Sequence, residues 1–460
     1  MVGMMAMQLS EAARVLDGRC RDGDVMFRGV STDSRRLQAG NLFVALQGPN
    51  FDGHDYLEVA LERGAAAAAV SRPVNSDLPL LEVDDTRLAL GRLAGHWRSC
   101  FDLPVIAITG SNGKTSVRSM TQAILECAGR TLSTQGNLNN DIGVPLTLFR
   151  LAAEDRFAVV EMGANHPGEI DYLARIAQPT IAVVTNAGPA HLEGFVDLDG
   201  VARAKGEVFA RLGSGDIAVI NADDRYAGLW RELAGDSRVI DFGLAHDAAV
   251  TADWQGDPAG SDVSLHTPAG DIAVRLPLPG RHNVMNALAA TAAGLAAGVG
   301  ADCIGRALES LAPVAGRFNI HRLPGGVTVI DDTYNANPES LAVAIDVLAM
   351  ADGEKWLVLG DMGELGDAAA ALHREAGSRA RDAGIDRLFT LGELAQGAVA
   401  GFGDGTACDS LADLLDALQA GLHADVHILV KGSRRMRMEQ VVELLGASAH
   451  STSSNAEARH

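Results

Sequence analysis

The chain has 460 residues, too many for one hydrophobic core and about right for three domains at roughly 150 residues each. Its 38 Lys and Arg against 59 Asp and Glu give a net charge of −21, which argues against a nucleic-acid binder but leaves room for a local phosphate pocket. With 47% hydrophobic and 21% charged residues the composition is that of a globular protein, and 51 Gly beside 15 Pro point to many tight turns.

In the first segment, residues 1–102, a strand is expected over 41–46 and a helix over 56–63, ended by Gly64. A small-residue strand over 65–70 follows, then a helix over 86–99 with Leu88, Leu90, Leu93 and Trp97 on one face. The second segment, 103–313, opens on an apolar strand over 105–109. A helix over 114–128 places Val117, Met120, Ile124 and Leu125 together. Strands over 157–162, 180–185 and 216–220 alternate with helical stretches, which implies a parallel sheet covered by helices. Residues 246–279 have no helical period and read as a small β excursion before an Ala-rich helix over 284–297. The third segment, 314–447, repeats the alternation: strands over 327–331, 355–360, 387–391 and 426–430, and helices over 338–350 and 434–445. Residues 448–460 are a polar tail. The fold class expected is α/β in three domains.

Cys20, Cys100, Cys127, Cys303 and Cys408 are far apart, odd in number and form no C-x-x-C pair. Neither a disulfide framework nor a zinc site is expected, and a reducing compartment fits. No apolar run approaches a membrane span and the first residues carry no signal-peptide pattern, so a soluble cytoplasmic protein without membrane insertion is expected.

The sharpest local signal is Thr109-Gly110-Ser111-Asn112-Gly113-Lys114-Thr115, between an apolar strand and a helix. Glycines let backbone N–H groups turn toward an anion, and the helix N-terminus adds positive potential. Lys114 supplies a point charge for the terminal phosphates, and Thr115 a hydroxyl for magnesium. The general phosphate-loop pattern puts its first Gly where Ile108 stands, so that pattern is only partly met. Glu161 ends a strand at the rim where α/β proteins bind ligands, and His191 follows another strand. Taken alone, Glu161 is as readily a surface acid and His191 a hydrogen-bonded loop residue. Asp223-Asp224 reads as a turn, and the Gly401–Gly405 stretch lacks the strand and spacing of a dinucleotide loop.

Further motifs follow in order: Glu161-Met162-Gly163-Ala164, Thr185-Asn186-Ala187, His191-Leu192-Glu193, Ala204-Lys205-Gly206-Glu207 and Gly280-Arg281-His282-Asn283. Together with the phosphate loop they resemble the Mur ligases over nearly the whole chain. That resemblance implies ATP-dependent amide formation in peptidoglycan precursor synthesis. It also implies a central ATP-binding domain over 103–313, an N-terminal UDP-sugar domain over 1–102 and a C-terminal Rossmann-like domain over 314–447. Three stretches, Thr134 to Pro145, Asp331 to Pro338 and Leu359 to Gly366, resemble members that join D-alanyl-D-alanine to UDP-N-acetylmuramoyl-tripeptide.

By the same resemblance, Gly110, Ser111, Asn112, Gly113, Lys114 and Thr115 cradle ATP, with Asn283 and Asn286 at the adenine, Asp332 at the ribose and Arg317 at the γ-phosphate. Thr115 and Glu161 hold one Mg2+; His191 and Lys205, the latter carbamylated, hold a second. The catalytic set implied is Lys114, Lys205, His191 and Arg317. Ser34 and Arg35 are implied for the uridine diphosphate; Asn137, Asn139 and Asn140 for sugar and peptide. Asn335 and Asn337 are implied at the substrate, and Asp361, Glu364 and Lys431 toward the dipeptide end. The family's habit suggests a monomer. On residues alone, other readings stay open: Lys205 as an ordinary helix lysine, Arg317 as a junction ion pair, Asp331 and Asp332 as caps of the next helix, Asn283 as a helix cap. A sister ligase adding a diamino acid, a folylpolyglutamate synthase-like ligase and a non-catalytic nucleotide switch are the competing functions.

Overall fold

The computed structural model describes residues 5–189, 195, 197–257, 259–312 and 314–447. His191 and the tail 448–460 therefore lie outside the described residues.

Strands Val105–Thr109 and Phe157–Glu161 are buried at every position, the pattern of strands covered on both faces. They belong to a six-stranded, wholly parallel sheet ordered Arg238–Phe242, Ile217–Asn221, Ile181–Val184, Val105–Thr109, Phe157–Glu161, Thr131–Ser133. On one face Ile106, Ile108 and Val159 meet Val117, Met120 and Ile124 of the helix Lys114–Glu126 and the Ala-rich helix Arg281–Ala296. Val105, Ala107 and Val160 face the opposite way, into a core shared with Leu90, Leu93 and Ala94 of the first segment. The helix Thr86–Ser99 thus packs on both segments, against Gly143–Leu148 and Glu169–Ala177. Of the expected apolar face, Leu90 and Leu93 are buried and Trp97 packs half-buried against the same core, but Leu88 is exposed and Ala89 and Ala94 are buried instead.

The β excursion is an antiparallel sheet of Thr251–Asp257, Gly260–His266 and Ile272–Leu276. In the first segment a five-stranded sheet runs Arg19–Arg21, Leu80–Glu82, Ala67–Val70, Leu42–Val44, Val30–Ser31. The third segment holds six strands ordered Asn319–Arg322, Thr328–Asp332, Val426–Lys431, Glu354–Gly360, Arg387–Leu391, Thr406–Cys408, parallel except for the first.

Two expectations are corrected here. The helix expected over 434–445 is broken: a 3-10 turn, Arg434–Met436, ends at Arg437, whose φ of +52° cannot continue a helix, and helix resumes over 439–447. The expectation of no disulfide fails at one pair. Cys127, at the end of the helix Lys114–Glu126, is bonded to Cys303 in the helix Ala301–Glu309, with Cα atoms 5.8 Å apart. A separation of 176 residues hides that proximity in the sequence; packing of the two helices creates it. Cys20, Cys100 and Cys408 are free.

Candidate active site

The strand Val105–Thr109 delivers its loop to the carboxyl end of the middle sheet, where successive strands pass to opposite sides of it. Such a switch point opens a crevice in an α/β sheet. Gly110 (φ +144°) and Gly113 (φ +81°) hold conformations that side chains avoid. A Cβ at Gly110 would lie 2.0 Å from Thr185 Oγ1, and one at Gly113 2.4 Å from Asn286 Oδ1. The loop is braced by the neighbouring strand end. Ser111 N–H donates to the Asn186 carbonyl (3.0 Å), Asn112 N–H to Asn186 Oδ1 (2.9 Å), and Thr185 Oγ1 to the Asn112 carbonyl (2.6 Å). The helix starting at Lys114 has no side-chain cap, so its first N–H groups face the loop.

Lys114 Nζ donates to the carbonyls of Gly110 (2.6 Å) and Ser111 (3.1 Å) and, among the described residues, has no ion-pair partner. Burial pushes its amine down; Glu161 opposes that shift and Arg317 adds to it. Thr115 Oγ1 donates to Glu161 Oε2 (2.9 Å) and accepts from Arg317 Nη2 (2.9 Å). Asn139 Nδ2 donates to Glu161 Oε1 (2.9 Å). Arg118, one turn along the helix from Lys114, lies 3.5 Å from Glu161 and donates to Ser133 Oγ and the Thr134 carbonyl.

Three cations, Lys114, Arg118 and Arg317, thus gather around one carboxylate; Arg118 Nε forms the 3.5 Å ion pair with it, and the buried Arg317 Nε makes no hydrogen bond among the described residues. Surplus positive charge and an unsatisfied donor at a glycine loop make an anion site. The oxygens of Thr115 and Glu161 are the hard donors that magnesium prefers.

The surrounding cleft, about 1680 Å3, is lined from all three segments. Asn283 and Asn286 line it from the helix Arg281–Ala296. Gly280, not Asn283, is that helix's N-cap, and Asn283 Nδ2 donates to the Pro279 carbonyl (2.8 Å). Asp332 lines the cleft paired with buried Lys431, whose Nζ also donates to the Asn335 carbonyl (3.0 Å). Asp331 is spent within its own turn on Thr333. Neither acid caps the following helix: Asn337 does, with Ser340 closing the capping box. Asn337 Nδ2 also donates to Asn112 Oδ1 (2.7 Å), and Glu339 accepts from Asn112 Nδ2 (2.9 Å). With Arg317 on Thr115, these contacts seat the third segment on the phosphate loop.

Asn137, Asn139, Asn140, Asn335 and Glu364 line the same cleft. Asp361 does not: its carboxylate accepts the Ala395 N–H (2.8 Å) and lies 3.6 Å from Arg435. Ser34 and Arg35 are also absent from the lining, and Arg35 is exposed and paired with Asp33 (2.9 Å). Lys205 is buried at 1% exposure, donates to the Ala164 carbonyl (3.3 Å) and sits over the Phe195 ring. Asp223 does more than turn the chain: it accepts the N–H groups of Leu244, Ala245 and His246, pairs with Arg281 and lines the cleft.

Sequence reasoning missed Arg118, Tyr334 and Glu339. Arg118 could have been found from its four-residue spacing from Lys114. Tyr334 lies within a quoted motif, and the Arg317 guanidinium stacks on its ring at 4.3 Å. Glu339 carries no sequence signal; its carboxyl is raised by burial and by Asp224.

Three family models match in order: "Mur ligase family, catalytic domain" over residues 26–98, "Mur ligase middle domain" over 108–294 and "Mur ligase, glutamate ligase domain" over 316–434. The UDP-N-acetylmuramoyl-tripeptide–D-alanyl-D-alanine ligase of Escherichia coli K12 is 44% identical over 96% of this chain and 99% of its own. A crystal structure of MurF from Acinetobacter baumannii superposes with a TM-score of 0.92 at 36% identity, covering 97% of this chain and all of that one. The MurF ligase of Thermotoga maritima in complex with ADP gives 0.84 at 29%, covering 92% and 98%. With all three family models matched in order and relatives aligned from end to end, the chain belongs to the Mur ligase family.

Proposed function

We propose that the chain joins D-alanyl-D-alanine to UDP-N-acetylmuramoyl-tripeptide at the expense of ATP, through an acyl-phosphate intermediate. The observation that carries the reading is the meeting of Lys114, Thr115 and Glu161 with Arg317 across one cleft. A carboxylate does not acylate an amine because oxide is a poor leaving group. Transfer of the γ-phosphoryl group to the tripeptide's terminal carboxylate supplies a better one. The dipeptide amine then attacks the acyl carbon and phosphate departs. This chemistry needs cations and positioning more than a protein nucleophile. Lys114 and Arg317 provide charge for the phosphoryl oxygens. Thr115 and Glu161 hold the nucleotide-side Mg2+, which neutralises phosphate charge when bound. Asn283 and Asn286 face the base, and Asp332 the ribose.

We place His191 and a carbamylated Lys205 at a second Mg2+. Asn137, Asn139 and Asn140 belong to the peptide end, Glu364 and Lys431 to the dipeptide end, and Asn335 to the substrate cleft beside them, while Asn337 is spent on its helix cap and on Asn112 of the phosphate loop. Ser34 and Arg35 serve the uridine diphosphate if the first segment turns toward the cleft. One chain supplies all three walls of the cleft, which supports a monomer, and its nucleotide-linked substrates support a cytoplasmic setting.

Phosphate release with ATP, Mg2+ and the UDP-tripeptide tests the reading when D-alanyl-D-alanine is compared with single amino acids and diamino acids. Release should require the dipeptide and yield a pentapeptide product. Release driven by a diamino acid instead moves the chain to a sister ligase, and binding of ATP without substrate-dependent release returns the nucleotide-switch reading. In the same assay Arg317→Ala should lower kcat/KM for ATP by about 10²–10³-fold, and Arg317→Lys should recover little, since an ammonium cannot replace a stacked guanidinium fork. A change of less than threefold would remove Arg317 from the reaction.

A further inference from the structure

We infer that Cys303 and Cys127 form a reversible thiol-modification site on the back of the nucleotide-binding domain, one that takes small disulfides and resolves them into the Cys127–Cys303 bridge. Three observations carry this. The bridge is at the surface: Cys127 is exposed and Cys303 partly so. Arg306 brings its Nη2 to 3.6 Å from Cys127 Sγ and 3.5 Å from Cys303 Sγ, so one guanidinium serves both sulfurs. Cys303 stands in the first turn of the helix Ala301–Glu309, whereas Cys127 caps the far end of the helix Lys114–Glu126.

These positions assign the order of attack. A guanidinium and a helix N-terminus both favour thiolate; a helix C-terminus opposes it. Cys303 loses its proton to solvent and attacks one sulfur of the small disulfide. That S–S bond breaks, and the departing thiolate takes up a proton. Cys127, deprotonated in turn, attacks Cys303 Sγ in the mixed disulfide and expels the second small thiol. Two protein thiols and one small disulfide become one protein disulfide and two small thiols. The small disulfide is the oxidant, and an excess of small thiol reverses both steps.

The bridge spans 176 residues, from the end of the phosphate-loop helix through the rest of the middle sheet, the β excursion and the Ala-rich helix. A cross-link over so long a loop restricts the unfolded chain strongly. It lies at the opposite end of a 13-residue helix from Lys114, a distance of about 20 Å. Oxidation therefore acts on the stability of this domain, not on the chemistry in the cleft.

The test uses the full-length chain, reduced, desalted and incubated across a series of glutathione to glutathione disulfide ratios. Intact mass, non-reducing peptide maps, thermal melting and turnover are then read. Expected are the loss of two hydrogens, a joined Cys127–Cys303 peptide, and a melting temperature roughly 5–10 °C above the reduced form. Turnover should be equal in both forms. Cys127→Ser should trap the glutathione adduct on Cys303. Cys303→Ser should gain its adduct on Cys127 several-fold more slowly. Arg306→Ala should slow bridge formation several-fold, with Arg306→Lys restoring part of the rate. The Arg306 comparison keeps both cysteines, so it stands even if a serine variant folds poorly. Absence of the joined peptide at every ratio, a bridge to Cys20, Cys100 or Cys408, or an unchanged rate in Arg306→Ala overturns the site. Loss of turnover on oxidation overturns its assignment to stability.

Discussion

Replacing Lys114 by Ala should lower kcat/KM for ATP by about 10³-fold, on the order of 4 kcal/mol of transition-state stabilisation, while leaving the melting temperature within about 2 °C of the parent. The reasoning starts from what Lys114 touches. Its ammonium donates to two loop carbonyls and, among the described residues, pairs with no carboxylate. Its charge is therefore unspent in this structure, and burial has already pushed its pKa down. A triphosphate entering the loop gives that charge a partner as negative charge builds on the phosphoryl oxygens. Removing a side chain that makes no native ion pair costs little stability, so activity and stability separate cleanly. Lys114→Arg should be nearly as inactive, because the glycine cradle leaves room for a slim ammonium stem. Steady-state phosphate release with a parallel thermal melt reads both quantities. A loss below tenfold would mean that the helix N-terminus and Arg317 carry the phosphoryl charge without it.

The phosphate loop was legible because its chemistry is local. Strand, loop and helix follow one another within residues 105–126, and each has its own signal: an apolar run, paired glycines, then a helical apolar face. The helices Thr86–Ser99 and Pro338–Ala349 were legible because helical signals are local too, and each was expected within a residue of its observed bounds. What the sequence concealed is non-local. Arg118 reads as a surface cation until Glu161, 43 residues on, is folded beside it. Glu339 meets Asn112 only because the third segment closes on the second. The Cys127–Cys303 bond needs two helices from opposite ends of one domain. Leu88 was misplaced because a partial apolar period does not define the edge of a helix face: packing on Tyr172 and Ile176 near Gly91 keeps Leu90 and Leu93 inside and leaves Leu88 out. The roles given to Lys205 and Arg317 came from family resemblance, since a buried lysine and a junction arginine have no local signature.

Lys205 is the residue whose removal should abolish turnover outright and whose loss a small molecule should partly repair. A lysine at 1% exposure with a carbonyl as its hydrogen-bond acceptor is a costly place for a full charge. Burial, with Lys114 adding to it and Glu169 and Glu207 opposing, brings its pKa down to about 7. A good fraction of the amine is then neutral near neutral pH, and a neutral amine is the form that adds carbon dioxide, its nitrogen giving up one proton to solvent as the N–C bond forms. The carbamate so formed is an anion, the charge a second magnesium needs beside a triphosphate and a carboxylate substrate. Lys205→Ala should lose activity by at least about 10³-fold. It should regain part of it in millimolar formate or acetate, whose carboxylate takes the vacated place. Lys205→Met, similar in length but apolar, should be equally inactive, should not respond to the acid, and should melt at or above the parent because it removes a buried charge. Carbon-13 bicarbonate gives an independent readout: a carbamate resonance present in the parent and missing from both variants. Full activity in Lys205→Ala, or rescue of Lys205→Met to the same extent, would leave Lys205 as a packed helix residue and return the second ion to His191 and its neighbours.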